Sequence, residues 1–273
     1  MTTDYTAWTA ADASALIAIP GENDDKYSRG VLGVITGSTT YPGAAVLGVE
    51  AALRTGLGMV RYLGPDRPST LVLSRRPEAV TANGRVQAWL IGSGIERIGG
   101  SESESWMIEA VGQNVPIVLD GGALESHAKA VGPVVITPHF RELARLVGGT
   151  AEDVAKDPGG AAGAAAQQLG VTVLLKGHTT YVASPGGLRL SASVAPSWLA
   201  TAGAGDALGG VLGALVATHA DEAVADPGVL ARLAATASVI HGIAAQRASN
   251  GGPLTVLDLA AEIPATISAL LSR

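Results

Sequence analysis

The residues that could do chemistry stand at the ends of apolar runs. In "TAGAGDALGG" (201–210) one carboxylate, Asp206, sits among glycines and alanines, and a helical pattern follows it. Glycines let the backbone come close to a ligand. The free N–H groups that open a helix attract anions. The stretch therefore predicts a loop whose amides receive a phosphate, with Asp206 at or near the helix N-cap as a general base or a partner for a substrate hydroxyl. A plain capping role, worth about 1 kcal/mol, is the alternative. "LLKGHTTYV" (174–182) sets Lys176 at a strand end, followed by Gly177, His178, Thr179 and Thr180. A lysine there is a point charge for phosphate, with hydroxyls behind it; an exposed strand-end lysine is the bland reading. The order of residues is not that of a P-loop.

Three more strand ends carry polar residues. "VVITPHFREL" (134–143) places His139 after a Thr-Pro that stops a strand, where it either bonds a ligand or stands in solvent. "PIVLDGGAL" (116–124) places Asp120 before two glycines. That acid is suited to magnesium through water, to a hydroxyl, or to closing a turn. In "TGSTTYPGAA" (36–45) the Tyr41-Pro42-Gly43 sequence opens the first turn of a helix to a ligand near Ala44. The histidines are dispersed and give no metal spacing, and there is no nucleophile elbow. "GSGIERIGG" (92–100) is not a dinucleotide fingerprint. "SESES" (101–105) reads as a solvated loop or a helix start.

These residues need a scaffold. Short aliphatic runs at 31–37, 88–94, 115–122, 133–139 and 171–177 read as strands buried on both faces, the signature of a parallel sheet. Helical patterns occupy 43–56, 141–148, 159–170, 206–220 and 229–249. The alternation predicts an α/β fold with a mostly parallel sheet. The segment 182–193, with "SPGG" at its turn, predicts a hairpin that adds antiparallel strands at the sheet edge. All five strand ends then share one rim, where open α/β sheets bind ligands.

The composition narrows the classes. There are 273 residues, a net charge of −6 and no cysteine. Disulfides and thiolate metal sites are excluded, and a general nucleic-acid binder would be basic. The N-terminus carries acids and no basic start, so no signal peptide is expected. The run Ala207–Ala217 is too short to cross a bilayer. The expectation is a soluble, cytoplasmic protein forming one domain over 1–273, with no membrane or nucleic-acid partner.

"TAGAGDALGG" resembles the glycine-rich anion hole of ribokinase-like proteins. With "GVITGSTTYPGAAVLGVEAALRTGLGMVR", "LIGSGI", "PIVLDGGAL", "VITPHFRELARLVG" and "VLLKGHTTYV" in this order, the chain from about Gly30 to Gly251 resembles the ADP-dependent NAD(P)H-hydrate dehydratases. The resemblance implies a ribokinase-like three-layer α/β/α sandwich without the epimerase domain that some members carry. It implies a lyase that dehydrates the S-form of hydrated NADH or NADPH while ADP becomes AMP and phosphate. Lys176, Gly177, His178, Thr179, Thr180 and Gly205 would hold the adenine nucleotide. Ala44, Gly94, His139 and Asp206 would contact the hydrated nucleotide, with Asp206 catalytic. Magnesium is implied near the phosphates, as is a homotetramer. The chain departs from the family pattern at Ala202 and Ala204, where TGGTGD has glycine and threonine, at Phe140-Arg141, where Pro-Gly is usual, and at Ser93, where proline is common. Two rivals stand beside this reading: a ribokinase-like kinase of a small alcohol such as a thiazole or pyrimidine precursor, and a nucleotide-binding protein without turnover.

Overall fold

The computed structural model describes residues 4–95 and 103–272, so most of the 92–100 segment and the start of "SESES" lie outside the described residues. The chain opens with β1 (Thr6–Ala7) and α1 (Ala10–Ser14), then alternates through β2 (Val31–Ile35), α2 (Pro42–Thr55), β3 (Met59–Tyr62), α3 (Asp66–Arg75), β4 (Ala88–Ile91), α4 (Glu104–Val111) and β5 (Ile117–Leu119). A 3-10 segment (Gly121–Lys129) leads to β6 (Val134–Ile136), α5 (Phe140–Val147), α6 (Ala151–Lys156), α7 (Pro158–Leu169) and β7 (Thr172–Leu175). The hairpin β8 (Thr180–Ala183) and β9 (Arg189–Ala192) follows. After a short 3-10 turn (Ser197–Leu199) come α8 (Ala204–Thr218), α9 (Ala220–Ala225), α10 (Pro227–Ser249) and α11 (Val256–Leu271).

The strands form one sheet in the order β1-β9-β8-β7-β6-β5-β4-β2-β3. From β3 to β7 every neighbour is parallel, while β8 runs antiparallel to both β7 and β9. The hairpin expected at the edge forms, but it is not outermost. The two-residue β1 pairs in parallel outside β9. It was not visible as a strand because two residues carry no periodicity.

Side chains alternate across the pleat and build a core on each face. Leu32, Val34, Leu90, Val118, Val135 and Leu174 pack with α2, α8, α10 and α11 on one face. Val31, Ile35, Ile91, Ile117, Leu119 and Val173 pack with α4, α5 and α7 on the other. The result is the three-layer α/β/α sandwich. α2 and α8 approach almost backbone to backbone, because a Cβ added at Gly210 would lie 2.2 Å from the carbonyl oxygen of Gly48. α10, the helix expected over 229–249, has the length and apolarity to cross a membrane, but 83% of its most apolar window is buried.

Candidate active site

The carboxyl ends of β2, β4, β5, β6 and β7 lie side by side, and the predicted polar residues gather along them. α8 begins just beyond. Its N-cap is Gly203, held at φ 93°, a left-handed conformation that glycine adopts without strain. Asp206 is therefore the third helical residue, not the cap, and no side chain caps this helix. Its carboxylate instead accepts a hydrogen bond from the Ser93 hydroxyl at the end of β4. The amides of Gly205 and Asp206 belong to the first turn, which has no earlier turn to donate to. α2 also points an uncapped N-terminus at the rim, with Pro42 in its first turn. α3, α4 and α9 also lack a side-chain cap, whereas α1, α5, α6, α7, α10 and α11 begin with one.

Lys176 and Asp120 meet. The Lys176 ammonium donates to Asp120 Oδ1 at 2.6 Å, and Thr137 donates to the same oxygen at 2.8 Å. Neighbouring strands are about 4.8 Å apart, so the lysine reaches across β6 to the end of β5. Burial is the largest single influence on Lys176 and pulls its pKa down. The carboxylates of Asp120, Glu142 and Asp206 together outweigh it, so the pKa is raised and the ammonium stays charged. The ammonium also stands beside α8, 3.6 Å from where a Cβ on Gly205 would be. For Asp206, burial raises the pKa; the Ser93 bond opposes it, Asp120 adds to it and Lys176 offsets part of it, with a net upward shift. This carboxyl group is thus a better proton acceptor than a solvated aspartate.

His139 starts α5 in a capping box with Glu142. The Glu142 amide donates to Nδ1 at 3.2 Å, while the His139 amide donates to Glu142 Oε2 at 2.8 Å. A backbone donor at Nδ1 leaves the ring's N–H on Nε2, which stands 3.7 Å from Glu142 Oε2.

Two hollows flank this cluster. The larger, about 680 Å³, is bounded by Lys176, Gly177, His178, Thr180, Ala204 and Gly205, with an apolar wall of Val194, Pro196, Leu199 and Leu208. His139 lines this hollow, alongside the residues assigned to the adenine nucleotide. His241 of α10 lies at its floor, where burial pulls the imidazole down to about 4 against an opposing backbone bond to Ala204. The smaller, about 390 Å³, is lined by Tyr41, Gly94, Gly121, Gly122, Glu142 and Arg145. Ala44 stands behind Gly94, since a Cβ on Gly94 would come within 2.6 Å of its methyl group. Thr179 points away and donates to Ser193 at 3.3 Å. Asp206 lines neither hollow, but it is bonded to Ser93, the neighbour of Gly94 in the smaller one, and faces Lys176 of the larger.

The family profile described as NAD(P)H-hydrate dehydratase matches residues 32–265. The chain belongs to this family. It is 42% identical to the bifunctional NAD(P)H-hydrate repair enzyme Nnr of Mycobacterium tuberculosis over 79% of this chain, but it spans about half the length of that relative (47%). It is 33% identical to the ADP-dependent (S)-NAD(P)H-hydrate dehydratase of Neisseria meningitidis, covering 72% of each chain. Among solved structures it is similar to the ADP/ATP-dependent NAD(P)H-hydrate dehydratase of Bacillus subtilis, co-crystallised with ATP/Mg2+, at a TM-score of 0.86 and 25% identity over 98% of this chain and all of that one. The resemblance seen in the motifs therefore holds at the level of family and fold.

Ser93 and Glu142 were not among the expected site residues. The His-x-x-Glu spacing of a capping box was a signal for Glu142; Ser93 stood out as a departure from the family pattern, but nothing local tied it to Asp206.

Proposed function

We propose that this protein repairs hydrated NADH or NADPH of the S-form, using ADP. The observation that carries the reading is the setting of Asp206, in the uncapped first turn of α8, bonded to Ser93 beside Gly94 of the smaller hollow and facing Lys176 of the larger. The larger hollow suits an adenine nucleotide, with an apolar wall for the base and with Lys176 and the α8 amides for its phosphates. The smaller one suits the hydrated nicotinamide. In this reading the substrate's ring hydroxyl gives its proton to Asp206 as its oxygen attacks the terminal phosphoryl group of ADP. The bond to the bridging oxygen breaks and AMP leaves. The amides of Gly205 and Asp206 and the Lys176 ammonium stabilise the charge that develops on the transferred group. The new phosphate ester is a good leaving group. The ring nitrogen's lone pair expels it, the adjacent ring carbon gives up a proton, and NADH or NADPH and phosphate result.

Among the described residues no group of three or more His, Cys, Asp or Glu side chains could hold a metal ion. In this reading magnesium arrives with the nucleotide, held mainly by its phosphates and by water, as is usual for this ion. A homotetramer in the cytoplasm, made of a single dehydratase domain, completes the proposal.

The test is an absorbance assay at the reduced nicotinamide band with purified hydrate and ADP, repeated with ATP. Growth of the band with stoichiometric AMP and phosphate is expected. Phosphorylation of a small alcohol by ATP without action on the hydrate would establish a kinase instead. Nucleotide binding with neither reaction would establish an idle binder.

A further inference from the structure

The end of β4 brings Ser93, the centre of "LIGSGI", to Asp206. The Ser93 hydroxyl donates to Asp206 Oδ1 across 113 positions of sequence. Ser93 is 8% exposed, so water competes little for that bond. Its backbone is tied down too, because its carbonyl accepts from the Gly37 amide at 2.7 Å. The hydroxyl is thus held by the rim and aimed at one carboxylate oxygen, which leaves the other, Oδ2, for a ligand.

We propose that Ser93 is a positioning residue for Asp206: its hydroxyl fixes the carboxylate's orientation and favours the ionised form, so that Oδ2 faces the incoming hydroxyl. The role of proton acceptor rests on the function proposed above; the Ser93–Asp206 coupling does not. A hydroxyl that donates to a carboxylate stabilises its charge and lowers its pKa. The other charged groups around Asp206 are few. Asp120 faces it from the end of β5 and Lys176 from the end of β7. Glu142, 4.0 Å from Lys176 at the start of α5, and its capping partner His139 stand behind the lysine. α2 meets Asp206 through Gly48, which has no charge. α10 brings His241, which burial keeps neutral. Lys176 therefore supplies the charge that stabilises the anion and Ser93 the direct bond.

The experiment is a carboxyl 13C NMR titration of the full chain without ligand, with the Asp206 signal assigned by its loss in Asp206→Asn. In Ser93→Ala the Asp206 midpoint should rise by about one pH unit, the size expected for one hydrogen bond to a charged group. Ser93→Thr, which keeps the hydroxyl, should restore it. An unmoved midpoint in a folded Ser93→Ala protein overturns the proposal. In the hydrate assay, the acid limb of the kcat/KM profile should move by the same amount, with the KM for ADP unchanged. A midpoint that moves while the acid limb stays fixed supports the coupling and removes Asp206 as the base in the proposed reaction.

Discussion

Two clusters of charge, one centred on Glu50 of α2 and one on Asp206 of α8, are built to opposite ends. Glu50 is fully buried and closed in by arginines: Arg76 binds both its oxygens at 2.5 and 2.6 Å, Arg54 donates at 2.6 Å and Arg75 at 3.1 Å. Burial alone would raise its pKa, but the three guanidinium groups overcome that and hold it at about 2. Nothing in that cluster is left to offer. At the rim, Asp206 has one neutral donor and shares Lys176 with Asp120, and its pKa moves up. The backbone donors beside it have no partner in their own helix. A carboxylate saturated with cations stabilises a fold; a carboxylate left short of them, beside spare donors, is equipped to act on something else.

The comparison can be broken at several points. The largest effect belongs to Asp206→Asn, which should lower kcat about 10³-fold, as loss of a general base does, while calorimetry finds ADP binding unchanged. Near-normal turnover would place the base elsewhere. The same variant should melt at a higher temperature near pH 7. The native pKa lies above the ordinary value of 3.8, so the buried charge costs stability once the pH exceeds the native pKa, and that cost vanishes below 3.8. Next comes Glu50→Ala, which leaves three arginines without their shared partner and should cost about 3–5 kcal/mol in urea unfolding with no change in kcat per folded molecule. In the unaltered protein the Glu50 pKa is depressed, so the stability it lends is present above about 4.5 and is lost as the pH falls toward 2. Urea midpoints across that range would show it. Lys176→Met should raise the KM for ADP about 10²-fold, the scale of one charge-assisted contact. Ala204→Thr is the mildest change. It adds a hydroxyl at the edge of the larger hollow and should tighten ADP binding about two- to threefold, the worth of a modest hydrogen bond.

The parallel strands were readable because burial on both faces makes them continuous apolar runs, as in Val31–Ile35 and Thr172–Leu175. β3 escaped notice, being four residues long with Arg61 among them. α11 contains Pro264, which argues against a helix on local grounds, yet a capping box from Thr255 to Asp258 starts it and its buried face holds it against α10. "SESES" does run into a helix start, with Ser103 as the N-cap of α4. The sequence placed Lys176 and Asp120 at strand ends, but their pairing depends on the strand order. Nor could local pattern show that Asp206 looks to Ser93 and not to its own helix. Contacts between distant segments are decided by how the sheet is laid out, and no local periodicity carries that information.

The near-contact of Gly48 with Gly210 has a last consequence. α2 and α8 both aim uncapped ends at the ligand rim, and at Gly48 and Gly210 their backbones meet with no side chain of either glycine between them. Side chains can repack and let helices slide, whereas touching backbones have nothing to give. The spacing between the two helix ends is therefore a fixed gauge. A single methyl group added at Gly210 would press on the Gly48 carbonyl and shift the two helix ends relative to each other.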